Sequence, residues 1–328
     1  MSASAPAIRS TARSPPSSGA DVARLGLGLA ALGRPEYLTT GHAAAVDGRF
    51  DPAALEQHCH DVLDAAWDGG IRHVDAARSY GYAERFLGSW LAAHPGRRDD
   101  VVIGSKWGYA YVADFRRGAE VHEVKEHSTA RLAEQQPQTW HDLGGPPDHY
   151  LVHSVTPDSP ALRDAELLDR LRSLGDEGVR VGISTSGPQQ ADVVRAALAL
   201  DVFSSVQSTW NVLEPSVGPA LAEAHAAGWF VVVKEAMANG RLVVEDSALG
   251  SAAADAGTGR DALALAIALA QPWADVVLSG AASVPQVIEN LAAATVDDQT
   301  ATGVQERLAN AVERPQDYWS TRSGLAWT

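Results

Sequence analysis

Cysteine and long apolar runs are the first things this sequence of 328 residues lacks. It contains one cysteine, Cys59, so no disulfide bond can form within the chain. A chain without disulfides is typical of the reducing cytosol, and we expect a cytoplasmic protein. No apolar run approaches the ~20 residues of a membrane-spanning helix, so no membrane partner is expected. Residues 1–20 are rich in Ser, Ala and Pro without the apolar core of a signal peptide, and they predict a disordered leader before a single domain over residues 21–328.

Positive charge is also scarce. The chain has 26 basic and 41 acidic residues, a net charge of −15, which argues against a nucleic-acid partner. Only three of the basic residues are lysines: Lys106, Lys125 and Lys234. Two of these, Lys106 and Lys234, directly follow apolar strand-like runs. A lysine at such a place offers a compact ammonium group with a tunable pKa, so both are candidates for chemistry.

Short apolar runs alternate with segments of helical periodicity along most of the chain. This alternation predicts a (β/α)₈ barrel, the TIM barrel, with a doubly wound open sheet as the alternative. Long loops are predicted after strand three (residues 107–118) and strand seven (residues 236–259), and the apolar tail after residue 312 is expected to pack back on the body, over the pocket mouth. The predicted strands are 25–30, 72–75, 101–105, 148–152, 180–183, 204–208, 230–233 and 275–278, and the predicted helices are 52–68, 82–93, 120–136, 160–177, 189–199, 215–227, 260–270 and 285–293.

Four chemically active side chains come at or just beyond the ends of consecutive predicted strands. Asp75 ends strand two, Tyr80 follows it, Lys106 follows strand three and His153 follows strand four. The carboxyl ends of barrel strands meet at one face, so these side chains should converge. An ammonium group beside a tyrosine stabilises tyrosinate and lowers its pKa, and a carboxylate orients the ammonium. The set is suited to protonating a carbonyl oxygen while hydride is delivered to the carbon.

These residues and their neighbours resemble the aldo-keto reductases, which are (β/α)₈ oxidoreductases that use nicotinamide cofactors. The matching motifs are D-A-A-R-S-Y-G with Asp75 and Tyr80, G-S-K-W-G with Lys106, and L-V-H-S with His153. The resemblance implies that Tyr80 is the general acid/base, that Lys106 and Asp75 tune it, and that His153 orients the substrate carbonyl. It also implies an aldehyde, ketone or sugar as the small-molecule substrate.

The same resemblance implies where the cofactor binds. Ser184 and Gln207 would hold the carboxamide, and the segment from Gly280 to Asn290 would hold the adenosine phosphate end. Ser283 and Gln286 also fit a capping box, and a helix amino end after strand eight is a ready anion site. The implied cofactor-binding residues are Asp75, Ser184, Thr185, Gln207, Lys234, Glu235, Met237, Gly240, Gly280, Ser283, Gln286, Glu289 and Asn290.

The chain departs from the family pattern at three places. Lys234-Glu235 stands where the family has an aromatic residue stacking on the nicotinamide, so Lys234 either pairs with Glu235 or contacts substrate. Thr185 replaces a frequent Asn. Gly280, Ala282 and Gln286 stand where many members grip a 2′-phosphate, although Arg241 or Arg260 could substitute. The family favours NADP(H), and NAD(H) stays open. Substrate contacts are expected from Trp107, Tyr109 and Trp210.

Two other functions remain open at this point. Lys106 or Lys234 could form a Schiff base with a carbonyl substrate, as in an aldolase or lyase. The chain could instead be a cofactor-binding regulatory protein without catalysis. No metal site is expected, since the neighbours His58, Cys59 and His60 point in different directions on a helix. The oligomeric state is not predicted.

Overall fold

Eight parallel strands close into a barrel. The computed structural model describes residues 22–38 and 50–327, so the predicted leader lies outside the described residues. The strands of the barrel follow one another in chain order, the last pairs with the first, and a two-stranded sheet lies outside the barrel. The predicted barrel is confirmed, and the open-sheet alternative is wrong. The strands are β1 (Leu25–Gly28), β2 (His73–Asp75), β3 (Val102–Trp107), β4 (Tyr109–Tyr111), β5 (Glu123–Lys125), β6 (His149–Val155), β7 (Arg180–Thr185), β8 (Ser205–Thr209), β9 (Phe230–Lys234) and β10 (Val276–Ser279).

Three functional candidates lie inside strands rather than after them. β3 runs through Lys106, β6 through His153 and β9 through Lys234, each beyond the predicted end. A polar side chain ends an apolar run in the sequence, but the backbone ladder continues because its hydrogen bonds do not depend on side-chain polarity. The strands therefore hold these three side chains on rigid backbone.

Helices cover the outside of the barrel. The first helix, Pro52–Asp68, has the predicted bounds because Asp51 caps its amino end, accepting from Ala54 N at 3.0 Å, and Pro52 opens its first turn. Helix α10 (Asp298–Arg307) was not predicted. The helices are α1 (Pro52–Asp68), α2 (Ala83–Ala93), α3 (Thr129–Leu143), α4 (Ala165–Asp176), α5 (Gln190–Leu198), α6 (Gly218–Ala226), α7 (Gly250–Asp255), α8 (Arg260–Leu269), α9 (Val284–Leu291), α10 (Asp298–Arg307) and α11 (Pro315–Ser323).

The segment after β3 corrects one helix prediction. Residues 120–136 were predicted as helix, but β4 and β5 pair there as an antiparallel hairpin, and helix α3 begins only at Thr129. Ser128 caps this helix, and the helix continues past Pro137 because Leu132, Thr139 and Leu143 still bury one face. The hairpin places Tyr109 and Glu123 beside the carboxyl ends of the barrel strands.

The carboxyl-terminal segment packs back on the barrel, as predicted. Tyr318 and Trp319 on α11 are buried in the main hydrophobic core. Tyr318 Oη accepts a hydrogen bond from Asn211 Nδ2 at 3.0 Å. The segment thereby brings Arg322 and Trp327 to the same end of the barrel as Lys106 and His153.

Candidate active site

Asp75, Lys106 and Tyr80 form a hydrogen-bonded chain at the carboxyl end of the barrel. The Lys106 side chain is fully buried, and its Nζ donates to Asp75 Oδ2 at 2.5 Å, to Ala76 O at 2.9 Å and to Tyr80 Oη at 3.3 Å. Gln207 Nε2 donates to the other carboxylate oxygen of Asp75 at 2.8 Å. The phenol oxygen of Tyr80 is therefore held beside an ammonium group whose own position is fixed.

His153 completes the predicted group of four. Its ring meets the Tyr80 ring edge-on with centroids 5.5 Å apart, and its Nδ1 lies 3.4 Å from Ser79 Oγ. Burial, together with the nearby charges of Lys106 and Lys234, lowers the pKa of His153 well below its usual value. His153 is therefore a neutral hydrogen-bonding group at physiological pH.

The pKa of Tyr80 differs from the sequence-based expectation. Burial and the Asp75 carboxylate raise it well above 10, although Arg34 acts in the opposite direction. The sequence-based expectation of a lowered pKa considered the Lys106 ammonium group, and in the structure burial and the Asp75 carboxylate act in the opposite direction. Tyr80 is accordingly a neutral phenol and a proton donor.

A cavity of about 320 Å³ opens beside these residues. It extends from Asp75, Tyr80 and His153 to the segment after β10, and it also touches the segment after β9. Of the predicted cofactor residues, those that line it are Asp75, Gln207, Lys234, Glu235, Met237, Gly240, Gly280, Gln286 and Asn290. These nine predicted residues thus share one concave surface.

Four predicted cofactor residues lie outside the cavity lining. Ser184 is buried, and its Oγ accepts from Ser154 N at 2.7 Å. Thr185 is also buried, with Oγ1 bonded to Gln190 and Ser208. Ser283 caps α9, and Glu289 is exposed on the same helix. In this structure the first three side chains stabilise the protein itself.

The predicted substrate residues divide in the same way. Tyr109 lines the cavity, and its ring lies 5.1 Å from that of His153. Trp107 is fully buried against His127, and Trp210 is buried against Trp273. Neither tryptophan lines the cavity, and both side chains belong to the main hydrophobic core. The structure therefore does not support Trp107 and Trp210 as substrate contacts.

Lys234 and Glu235 belong to a charged network on the cavity wall. Lys234 Nζ donates to Thr209 Oγ1 at 2.8 Å and lies 3.9 Å from Glu235 Oε1. Arg322 donates to both oxygens of the Glu235 carboxylate, the shortest contact being 2.5 Å. Burial lowers the pKa of Lys234 to about 8, and Arg322 and Lys234 lower that of Glu235 to about 2 against the effect of burial. Glu235 is therefore paired mainly with Arg322.

Sequence reasoning missed several residues of the cavity wall. Arg34 is buried, donates to Glu123 Oε1 at 2.5 Å and lies over the Tyr80 ring, 5.3 Å from its centroid. Trp327 stacks on His122 with centroids 4.0 Å apart. These residues come from a loop, a hairpin and the chain's end, where no local periodicity marks them. The aromatic tail was the one available signal, and it pointed to the pocket mouth.

The chemistry of the cavity fits a nicotinamide dinucleotide. The Asn290 side chain is buried, its Nδ2 donates to Ser279 Oγ at 2.8 Å, and its Oδ1 has no partner within the protein. A Cβ built on Gly280 would meet nothing within 4 Å, so its backbone is open to a ligand. The residues Gln207, Gly280 and Asn290 would hold such a cofactor along the cavity. Within the described ranges, no cluster of His, Cys, Asp and Glu could hold a metal ion.

Comparison with known proteins decides the family. The sequence model of the Aldo/keto reductase family matches residues 24–306. The chain belongs to this family. Among curated proteins, it is 40% identical over 70 residues to a D-threo-aldose 1-dehydrogenase from a Pseudomonas species, covering 21% of each chain. It is 26% identical over 160 residues to an aldo-keto reductase from Gibberella moniliformis, covering 48% of this chain and 45% of that protein. The matches therefore span less than half of either relative.

The fold of this aldo/keto reductase is also that of solved structures. A glycerol dehydrogenase from Gluconobacter oxydans superposes with a TM-score of 0.66 at 19% identity, covering 88% of this chain and 92% of that one. At this identity the similarity concerns the fold alone. No described helix of the chain is both long and apolar enough to cross a membrane.

Proposed function

We propose that this aldo/keto reductase transfers hydride between a nicotinamide cofactor and the carbon of a small carbonyl compound or alcohol. The observation that carries the proposal is the hydrogen-bonded chain Asp75–Lys106–Tyr80 beside the neutral ring of His153, on the wall of the cavity. The cytosol is the proposed compartment because Cys59 is a buried free thiol, which has no need of an oxidising environment.

Tyr80, Lys106 and His153 have different roles in the proposed reduction. A bound nicotinamide cofactor would supply the hydride. Tyr80 Oη gives its proton to the carbonyl oxygen, and Lys106 Nζ, 3.3 Å away, stabilises the tyrosinate that forms until solvent returns the proton. His153 Nε2 orients the same oxygen, since Nδ1 faces Ser79. In the oxidising direction the same groups act in reverse, and Tyr80 Oη accepts the proton of the alcohol.

The cavity wall supports a polyhydroxylated substrate within the proposed class. Aromatic rings of Tyr37, Tyr109 and Trp327 offer flat apolar faces, and the ion pair of Arg34 with Glu123 offers hydrogen-bond donors and acceptors. Sugars are bound by this combination of stacking surface and bidentate polar groups. A relative over a short stretch is named as an aldose dehydrogenase, which is consistent with an aldose among the substrates.

Replacing Tyr80 with phenylalanine tests the mechanism. The Tyr80→Phe variant should lose turnover by about 10²- to 10⁴-fold, the contribution of a positioned acid, while cofactor binding stays intact. Turnover can be followed by cofactor absorbance on a panel of aldoses, aldehydes and ketones. Tyr82→Phe is the matched control, since Tyr82 packs on Phe115 outside the cavity lining. A Tyr80→Phe enzyme with wild-type rates would refute the mechanism. If the unmodified protein binds cofactor but turns over no substrate of the panel, the regulatory role would be favoured.

One observation favours a second function, a Schiff-base lyase or aldolase. Lys234 lines the cavity with a pKa near 8, so part of it is a neutral, nucleophilic amine at physiological pH. Lys106 is poorly placed for the same role because it is fully buried and donates three hydrogen bonds. Borohydride reduction in the presence of a carbonyl substrate, followed by mass spectrometry, would leave an adduct on Lys234 if this function operates.

A further inference from the structure

One end of the cavity, formed by Asp261, Gly280, Gln286 and Asn290, is chemically distinct from the catalytic end. Gly280, Gln286 and Asn290 belong to the segment that follows β10, and Asp261 lies in the first turn of α8. None of the four is hydrogen-bonded to Asp75, Lys106 or Tyr80. We call these four residues the adenosine end, because a dinucleotide whose nicotinamide lies beside Tyr80 must extend its other half along the cavity.

The adenosine end offers acceptors to a ligand. Asn290 is 2% exposed, and its Oδ1 is a buried oxygen without a partner in the protein. Asp261 adds a half-buried carboxylate. The Gln286 Oε1 atom is already used, since it accepts from Ala282 N at 2.8 Å. Unpaired acceptors are satisfied by hydroxyl or amino groups, whereas an ionised phosphate ester brings only further acceptors.

The local charge is negative. Asp261 faces the cavity, and Glu289 on α9 is close enough to raise the pKa of Asp261, although burial is the larger cause. The Asp261 carboxylate on the cavity wall, with the Glu289 charge nearby, repels an anion and attracts hydrogen-bond donors. A ribose 2′-hydroxyl is such a donor, and acidic side chains are the usual partners of that group in proteins that bind NAD.

The two arginines proposed to grip a 2′-phosphate are each bonded to other protein groups, although Arg260 is near enough to Asp261 for its charge to act on that carboxylate. Arg260 Nε donates to Val243 O at 2.8 Å, and Arg241 forms an ion pair with Glu313. In the part of the chain that the structure describes, the arginines and lysine lining the cavity contact groups outside the adenosine end: Arg34 contacts Glu123, Lys234 contacts Thr209, and Arg322 contacts Glu235.

We propose that this enzyme binds NAD(H) in preference to NADP(H), and that Asp261 sets the preference by facing the ribose of the adenosine half. The inference rests on the proposed nicotinamide-dependent function. It replaces the expectation of NADP(H), which came from the family resemblance, with the cofactor that the side chains of this chain favour. Asp261 acts as a specificity-determining residue and takes no part in hydride or proton transfer.

Binding measurements on the full chain test the proposal without reference to turnover. Calorimetric titrations with NADH and NADPH should give the tighter dissociation constant for NADH. Titrations with 5′-AMP and with adenosine 2′,5′-bisphosphate isolate the adenosine half, and they should show the same order. Raising the salt concentration should reduce the difference in affinity between NADH and NADPH, because salt screens the repulsion between the carboxylates and the 2′-phosphate.

Asp261→Asn removes the charge and keeps the shape of the side chain. It should tighten NADPH binding by about tenfold, the effect of one like charge removed at short range, and weaken NADH binding by a smaller factor. Glu289→Gln should change the ratio of the NADPH and NADH dissociation constants in the same direction but by a smaller factor, since Glu289 is exposed and does not line the cavity. Asp255→Asn is the matched control, because Asp255 is exposed on α7 and lies outside the cavity lining.

The outcomes separate this inference from the proposed function. Tighter binding of NADPH than NADH by the wild-type protein would overturn the inference while leaving the function intact. An NADH preference that survives unchanged in Asp261→Asn would overturn the role of Asp261. Binding of neither cofactor would overturn the proposed function itself, and the inference with it. Tighter NADH binding that is lost in Asp261→Asn and kept in Asp255→Asn would support the proposal.

Discussion

Lys234 is a side chain whose charge near neutral pH depends on its surroundings. Burial disfavours its ammonium form, and Glu235, which would favour that form, is shared with Arg322 at closer range. The group is protonated below a pH of about 8 and neutral above it. The cavity wall therefore gains a positive charge as pH falls through this value, at a place where the family has an aromatic ring.

The titration of Lys234 can be observed directly because the chain has so few lysines. Protein labelled with ¹³C at lysine Cε should give three lysine signals, and the Lys234 signal should titrate with a midpoint near pH 8, more than two units below a free lysine. Lys234→Arg identifies the signal by its loss. A midpoint above pH 10 would show that Glu235 holds the ammonium group charged, and the Schiff-base alternative would then lose its support.

At the scale of elements, the turn that carries Tyr80 is positioned by a close contact between two loops. Tyr82 N donates to Gly33 O at 2.7 Å, which joins the turn after β2 to the loop after β1. A Cβ on Gly33 would stand 2.0 Å from the carbonyl oxygen of Tyr80. This oxygen belongs to the backbone, so it cannot move aside as a flexible side chain could. Because residue 33 has no side chain, the loop after β1 can pack closely against the turn that carries Tyr80.

Replacing Gly33 with alanine should push the two loops apart and move Tyr80 away from Lys106. We expect turnover to fall by at least tenfold and the free energy of unfolding to fall by about 1 to 3 kcal/mol, as for other overpacked contacts. Steady-state kinetics and urea unfolding measure the two effects. Gly96→Ala is the control, since a Cβ there meets nothing within 4 Å. Equal, unchanged rates in both variants would contradict a positioning role for this contact.

The elements also show which parts of the site a sequence can reveal. Asp75, Lys106 and His153 were found because each stands at the end of an apolar run, and parallel strands bring such ends together. The hairpin β4–β5 was missed because Val121, Val124 and Leu132 continue a spacing compatible with helix, while the pairing of Tyr109 with Lys125 bridges residues far apart in sequence. The contacts of Arg322 and Trp327 could not be predicted from the sequence, since their partners precede them by 87 or more residues.

At the scale of the whole molecule, residues from the carboxyl-terminal segment form part of the wall of a cavity at the end of the barrel. No barrel strand comes from the segment after residue 312, yet Arg322 binds Glu235 and Trp327 lines the cavity. The Arg34 guanidinium lies 4.7 Å from the Trp327 ring centroid, and Tyr37 meets the same ring edge-on at 6.2 Å. The barrel strands carry Asp75, Lys106 and His153, and the carboxyl-terminal segment forms part of the cavity wall that a substrate would touch.

Replacing Trp327 with alanine should therefore weaken substrate binding while leaving the barrel and the cofactor site intact. The loss of one stacking ring corresponds to about 1 kcal/mol, so KM for a good carbonyl substrate should rise by roughly fivefold or more. The Kd for cofactor and the melting temperature should stay close to wild type, because Tyr318 and Trp319 still hold α11 on the core. Leu325→Ala, in the same tail but outside the cavity lining, is the control. If both variants raise KM equally, the tail acts through its packing as a whole, and the indole of Trp327 has no specific contact with substrate.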